Sequence, residues 1–101
     1  MDKDEIRNII KKYSIVLTKY LEYKKVILFG SYRNGIPNKF SDIDVAVLVN
    51  KSVDYYEGSK LLWKVTHEVD DRIEPVLIIE GNDPSGFLDD ILKNGEVIAS
   101  N

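Results

Sequence analysis

The chain has 101 residues, of which 44% are hydrophobic and 31% charged, and it contains no cysteine. Such a length and composition fit one folded domain and exclude a disordered tail, while the missing thiols exclude disulfides, thiolate catalysis and cysteine-ligated metal. A formal net charge of −3 gives no overall attraction for a long phosphate backbone, although a small nucleotide carrying a metal counterion is not disfavoured.

The elements can be read in chain order. Asp2 with Glu5 three residues on reads as a capping box. Ile6, Ile9, Ile10, Tyr13, Leu17, Tyr20 and Leu21 then recur at helical spacing, which predicts a helix ending near Tyr23. The short apolar run Val26–Phe29, cut off by Gly30, predicts a buried strand whose end turns sharply. Residues 32–41 hold Gly35, Pro37, two asparagines and Lys39 and read as a loop after at most one helical turn. A second strand is predicted over Asp42–Val49, and a helix of about 15 residues follows, capped by Asp54 with Glu57. Arg72–Ile79 reads as a third strand, Asp83 and Pro84 open a last helix that Gly95 closes, and Glu96–Ala99 suits an edge strand. Helices alternating with strands give an α/β (α+β) protein, with a small sheet of three to four strands. No apolar run approaches the roughly 20 residues needed to span a bilayer, and the first residues are charged, so a cytoplasmic protein is expected.

The chemistry lies in the second strand. Side chains alternate along a strand, so Asp42 and Asp44 share one face while Ile43, Val45, Val47 and Val49 take the other. Two carboxylates so close raise each other's pKa unless a cation lies between them, and magnesium held by hard oxygens is the usual answer. Glu74 opens the third strand, and pairing of that strand with the second would add a third acid, a donor set suited to two metal ions. On the other side, Gly30 lets the backbone approach a phosphate, and Ser31 can offer its hydroxyl and free N–H groups to phosphate oxygens. Arg33 and Lys39 can steer a triphosphate from the loop.

Gly30-Ser31, ten intervening residues and Asp42-Ile43-Asp44 resemble the Gly-Ser…Asp-x-Asp signature of the DNA polymerase β-like nucleotidyltransferases. With Ile27-Leu28-Phe29 before it and Val45-Ala46-Val47-Leu48 after it, the chain looks most like the minimal nucleotidyltransferases encoded beside helical HEPN-family partners. The resemblance implies a mixed sheet flanked by helices. It also implies magnesium-dependent transfer of a nucleoside monophosphate, AMP from ATP above all, and an antitoxin role in which the partner toxin is itself an acceptor. It places Gly30, Ser31 and Arg33 at the triphosphate and Asp42, Asp44 and Glu74 at the metal. Many relatives have an aspartate where this chain has Glu74, and some an arginine where it has Asn34.

Two functions follow from this reading: an enzyme that modifies a hydroxyl on its partner, or a module that neutralises a helical partner by contact alone. Tyr55, Tyr56 and Trp63 are expected in the core or at an interface, and His67 facing solvent or a partner.

Overall fold

The structure, a computed structural model, describes residues 3–30, 42–82 and 86–101. Among the described residues, three helices and four strands follow one another as α1 (Lys3–Leu17), β1 (Lys25–Phe29), β2 (Ile43–Val49), α2 (Tyr55–Val69), β3 (Ile73–Ile79), α3 (Phe87–Asn94) and β4 (Glu96–Ser100). The strands form one mixed sheet in the order β3-β2-β1-β4. β1 runs antiparallel to β2 and β4, and β2 runs parallel to β3. The expected α/β architecture with a small mixed sheet flanked by helices is therefore the observed one.

Each sheet face has its own core. Val26 and Leu28, then Ile43, Val45, Val47 and Val49, then Ile73 and Leu77 point to one side, where Ile6, Ile10, Tyr13 and Leu17 of α1 and Leu62 and Val65 of α2 cover them. Ile27, Ala46, Leu48 and Ile78 point to the other side, against Ile91 of α3. The central strand β2 is thus buried on both faces from Val45 onward, which accounts for its unbroken apolar run. Its one polar residue, Asp44, is near the start, with Asp42 just before the strand.

Helix α1 stops at Leu17 and not near Tyr23. The Thr18 hydroxyl bonds back to the Ile15 carbonyl (2.6 Å), and the Lys19 and Tyr20 N–H groups bond carbonyls only three residues behind (3.1 and 3.0 Å), so the helix closes into a turn. Tyr23 then folds under, donating its hydroxyl to the Ser14 carbonyl at 3.1 Å. The caps of α2 follow the sequence signal: the Asp54 carboxylate accepts from the Glu57 N–H at 2.9 Å. Helix α3 is capped by Gly86 at φ +74° and closed by Gly95, whose N–H bonds the Ile91 carbonyl at 2.7 Å. Asp2, Asp83 and Pro84, expected in caps, lie outside the described residues.

One hydrogen bond ties the two helices of the larger core together. The buried Tyr13 hydroxyl donates to the Leu62 carbonyl at 2.8 Å, and burial pushes its pKa up, so it stays a neutral donor. Leu62 C=O also accepts from the Thr66 hydroxyl at 3.0 Å, so deleting the phenol leaves no orphaned acceptor. Tyr13→Phe is expected to cost about 1 kcal/mol, the ordinary net value of one hydrogen bond, measured as a lower urea midpoint with an unchanged slope.

Candidate functional site

The site is assembled by two strand pairings and a turn. In the parallel β2–β3 ladder Asp44 is the register partner of Glu74, and in the antiparallel β1–β2 ladder it is the partner of Phe29. Register partners share a face, so Phe29, Asp44 and Glu74 form one row across three strands. The next row inward is Ile27, Ala46 and Val76, entirely apolar. The acids stand at the rim of a hydrophobic surface that α3 begins to cover.

What places Glu74 in that row is a clamp just ahead of β3. The Asp70 carboxylate accepts from the Arg72 N–H (2.9 Å), from Nε (3.0 Å) and from Nη2 (2.6 Å). The Asp70 pKa is accordingly lowered, chiefly by the Arg72 side-chain hydrogen bonds. Asp70 also caps α2, its N–H bonding the Thr66 carbonyl at 2.9 Å. The carbonyl of Arg72 then accepts from the Ile43 N–H at 2.8 Å, the first rung of the ladder. Helix end, ion pair and first rung are consecutive, so the register that brings Glu74 to Asp44 is fixed from one side.

The electrostatics show that the three acids lie together. Asp44 is pushed above its ordinary pKa, first by desolvation and then by the charge of Asp42. Glu74 is also raised, first by desolvation, then by the charge of Asp42, a side-chain hydrogen bond with Asp42 and the charge of Asp44. Asp42 precedes β2 and is exposed, Asp44 is half-buried and Glu74 is exposed, so the group opens to solvent. Carboxylates arranged in this way are hard oxygen donors whose mutual repulsion a divalent cation would relieve. Such carboxylates are the hard oxygen donors magnesium takes, but no group of three or more side chains that could hold a metal ion is found among the described residues.

Gly30 completes the rim. It follows β1 with φ +81°, in the left-handed region that glycine occupies without strain. A Cβ at this position would fall inside the Asp44 carboxylate, with Cγ 3.0 Å and the Asp44 Cβ 3.1 Å away. The sequence suggests that glycine is there to let a phosphate approach; the structure adds that the missing side chain is the space Asp44 occupies. Ser31, Arg33 and Lys39 lie outside the described residues.

Of the core and interface positions expected for the three aromatic residues of α2, the core is ruled out. Tyr55, Tyr56 and Trp63 are exposed to 54%, 75% and 43%, so none is a core residue. α2 covers the sheet through Gly58, Leu62, Val65 and Thr66 instead. Gly58 is the reason the helix can lie so close, since a Cβ there would meet Leu77 Cδ2 at 2.8 Å. His67 faces solvent as expected, with Nδ1 2.9 Å from the Asp71 carboxylate. One feature the sequence reading missed is an aromatic pair beside the acids: Phe87, the first residue of α3, meets Phe29 edge-on at 5.8 Å. The period-two pattern from Glu74 through Val76 to Ile78 was visible, but the partner from α3 was not.

Comparison with known proteins agrees with this geometry. The family model described as polymerase beta nucleotidyltransferase matches residues 5–101. A protein of Methanocaldococcus jannaschii assigned as protein adenylyltransferase MJ0141 is 31% identical over 90% of this chain and 96% of its own length. A second from the same organism, assigned as protein adenylyltransferase MJ1215, is 30% identical over 75% of this chain and 79% of its own. Among solved structures, a nucleotidyltransferase assignment from Sulfolobus solfataricus superposes with a TM-score of 0.73 at 15% identity, over 98% of this chain and 84% of that one. The toxin–antitoxin complex MntA–HpeT, in a mutant with two aspartates changed to glutamate, matches with a TM-score of 0.60 at 18% identity, over 100% of this chain and 75% of that one. The fold is thus that of a nucleotidyltransferase. The chain belongs to the polymerase beta nucleotidyltransferase family.

Two predictions follow from the packing of the acids. Gly30→Ala should lose about 1–2 kcal/mol from the left-handed backbone alone, and more from displacement of Asp44, read as a lower melting temperature. The second concerns pH. Asp44 and Glu74 have folded-state pKa values above the ordinary 3.8 and 4.5, so their ionisation opposes folding. That penalty is absent below the ordinary values, grows as pH rises through the folded-state values and is complete above them. Asp44→Asn should therefore raise the melting temperature at neutral pH in metal-free buffer, and the gain should disappear as the pH is lowered below the ordinary carboxyl value of 3.8.

Proposed function

We propose that this protein transfers AMP from ATP to a hydroxyl group of a protein partner, and that it serves as the antitoxin of a pair whose other member is a helical HEPN-type protein. The observation that carries this reading is the convergence of Asp42, Asp44 and Glu74 across two parallel strands beside the Gly30 turn. Relatives assigned as protein adenylyltransferases support the acceptor class, and the likeness to an antitoxin bound to its toxin supports the pairing. That complex was studied with two aspartates, spaced two residues apart, changed to glutamate, the same spacing as Asp42 and Asp44. No helix among the described residues is long and apolar enough to cross a membrane, in keeping with work in the cytoplasm, where ATP is abundant.

In the proposed reaction the acceptor oxygen forms a bond to the α-phosphorus. The bond from that phosphorus to the bridging oxygen breaks, and pyrophosphate leaves. Asp42, Asp44 and Glu74 would hold magnesium, two ions in the full site, which supplies positive charge where the triphosphate gathers negative charge. Glu74, at the exposed side of the group, is placed to help activate the acceptor hydroxyl and take its proton. Ser31 and the Gly30 backbone would grip the β- and γ-phosphates, with Arg33 adding charge from the loop.

The test is transfer of label from α-labelled ATP to the product of the adjacent gene, with and without magnesium. Asp44→Ala should lower the rate at least about 100-fold, since even the outer partners of metal ligands are worth 10–100-fold, and chelation should do the same. Glu74→Gln should lower it about 100-fold, the lower end for a general base. Neutralisation that persists in the double variant Asp42→Ala with Asp44→Ala would instead identify a module acting by contact alone.

A further inference from the structure

We propose that the outer edge of β3, with the groove beside it, receives the acceptor as an extended peptide strand whose hydroxyl residue lies next to Glu74. The inference rests on the transfer reading above and specifies how the protein acceptor is held. β3 is an edge strand. The Arg72 carbonyl and the Glu80 N–H both bond β2, to Ile43 and Val49 respectively. Even-numbered residues of β3 therefore turn their main-chain groups toward β2, and odd-numbered ones turn them outward.

On that outer edge the Ile73 N–H is taken by the Asp70 carbonyl and the Ile79 carbonyl by the Asn82 N–H. Both groups of Leu77, the Ile79 N–H and the carbonyls of Ile73 and Pro75 have no main-chain partner among the described residues. Pro75 falls on the one side of the strand where a missing N–H breaks no rung of the sheet. From the Pro75 carbonyl through both groups of Leu77 to the Ile79 N–H, acceptor and donor alternate as an added strand requires, while Pro75 supplies no donor beside Glu74.

The side-chain surface agrees with the backbone. A cavity of about 190 Å³ borders this edge, lined by Tyr55, Val76, Ile78, Asn82 and Phe87. Val76 and Ile78 share the face of Glu74, two and four residues further on, or roughly 7 and 13 Å along the strand. Val76 and Phe87 are each 37% exposed and Tyr55 54%. An incoming strand with a hydroxyl beside Glu74 would place its second and fourth neighbours over Val76 and Ile78. Apolar residues at those positions would fill the groove. A second copy of this chain is a poor occupant, because it would bring another net charge of −3 and another set of carboxylates to the acid row. A neutral or basic segment of the acceptor protein suits the charge.

The probe is a blocked peptide with one central tyrosine, valines two and four residues to either side, and lysines between. Two further versions carry N-methyl groups on all the valines or on all the lysines. Only one of these sets can face β3, so one version should bind at least about tenfold more weakly while the other is tolerated, as expected when backbone hydrogen bonds hold the strand. Bound peptide should slow amide hydrogen exchange at Leu77 and Ile79. Val76→Arg should weaken the peptide without changing the affinity for ATP. With magnesium and labelled ATP, the tyrosine of the unmethylated peptide should be labelled. Labelling that ignores both N-methyl patterns and Val76→Arg would overturn the docking mode and leave the transfer reading standing. Protection of Leu77 without any labelling would sink transfer to this acceptor and leave the docking mode standing. Neither protection nor labelling would overturn the proposal.

Discussion

The arrangement depends on the register between two parallel strands. Asp44 and Glu74 are 30 residues apart in sequence and become neighbours only because Ile43 pairs with Ile73. A slip of one residue would turn Glu74 to the opposite face, into the larger core with Ile73 and Leu77. The register is held from the outside by the Asp70–Arg72 clamp and the Arg72–Ile43 rung. From the inside, the alternation of Ile73, Pro75 and Leu77 against Glu74, Val76 and Ile78 allows only one placement with the apolar residues buried.

That placement has an electrostatic cost. Three carboxylates lie together at the edge of an apolar surface, and both Asp44 and Glu74 are raised above the ordinary range by desolvation and by one another's neighbours. Elsewhere the same chain pairs its charges: Arg7 with Glu96, Lys24 with Glu80 and Asp70 with Arg72. A structure that pairs acids elsewhere and crowds them here retains local repulsion at one place, as expected where charge is kept for a ligand and not for stability. Gly30 belongs to the same economy of space, since its missing side chain is filled by Asp44.

The free edge of β3 extends this reading. In a mixed sheet with Glu74 on an edge strand, the proposed base has a row of backbone groups immediately beside it. Pro75 within that row also limits unselective strand-to-strand association, since it removes one donor from the edge. The 101-residue chain thereby gains an acceptor surface without an additional structural layer.

Much of this was legible in the residues themselves. Asp42 and Asp44 on one face, Gly30 ending a strand, Asp54 capping α2 and Gly95 closing α3 are local rules of periodicity and turn chemistry, and such rules act within a few residues. The aromatic residues of α2 could be placed no more narrowly than core or interface because helical spacing cannot tell which face meets the sheet; Gly58 and Leu62 settle that by permitting close approach. The end of α1 was misplaced because apolar spacing continued past Leu17 while Thr18 and Tyr23 drew the chain into a turn. By itself the sequence determined the elements, the pairing of Asp42 with Asp44 and the family signature, all of which are set by neighbours along the chain. Only the tertiary structure decided that Glu74 joins them, that Gly30 yields its space to Asp44 and that β3 pairs with β2 on one side alone among the described residues, because each depends on contact between strands that sequence distance leaves undetermined.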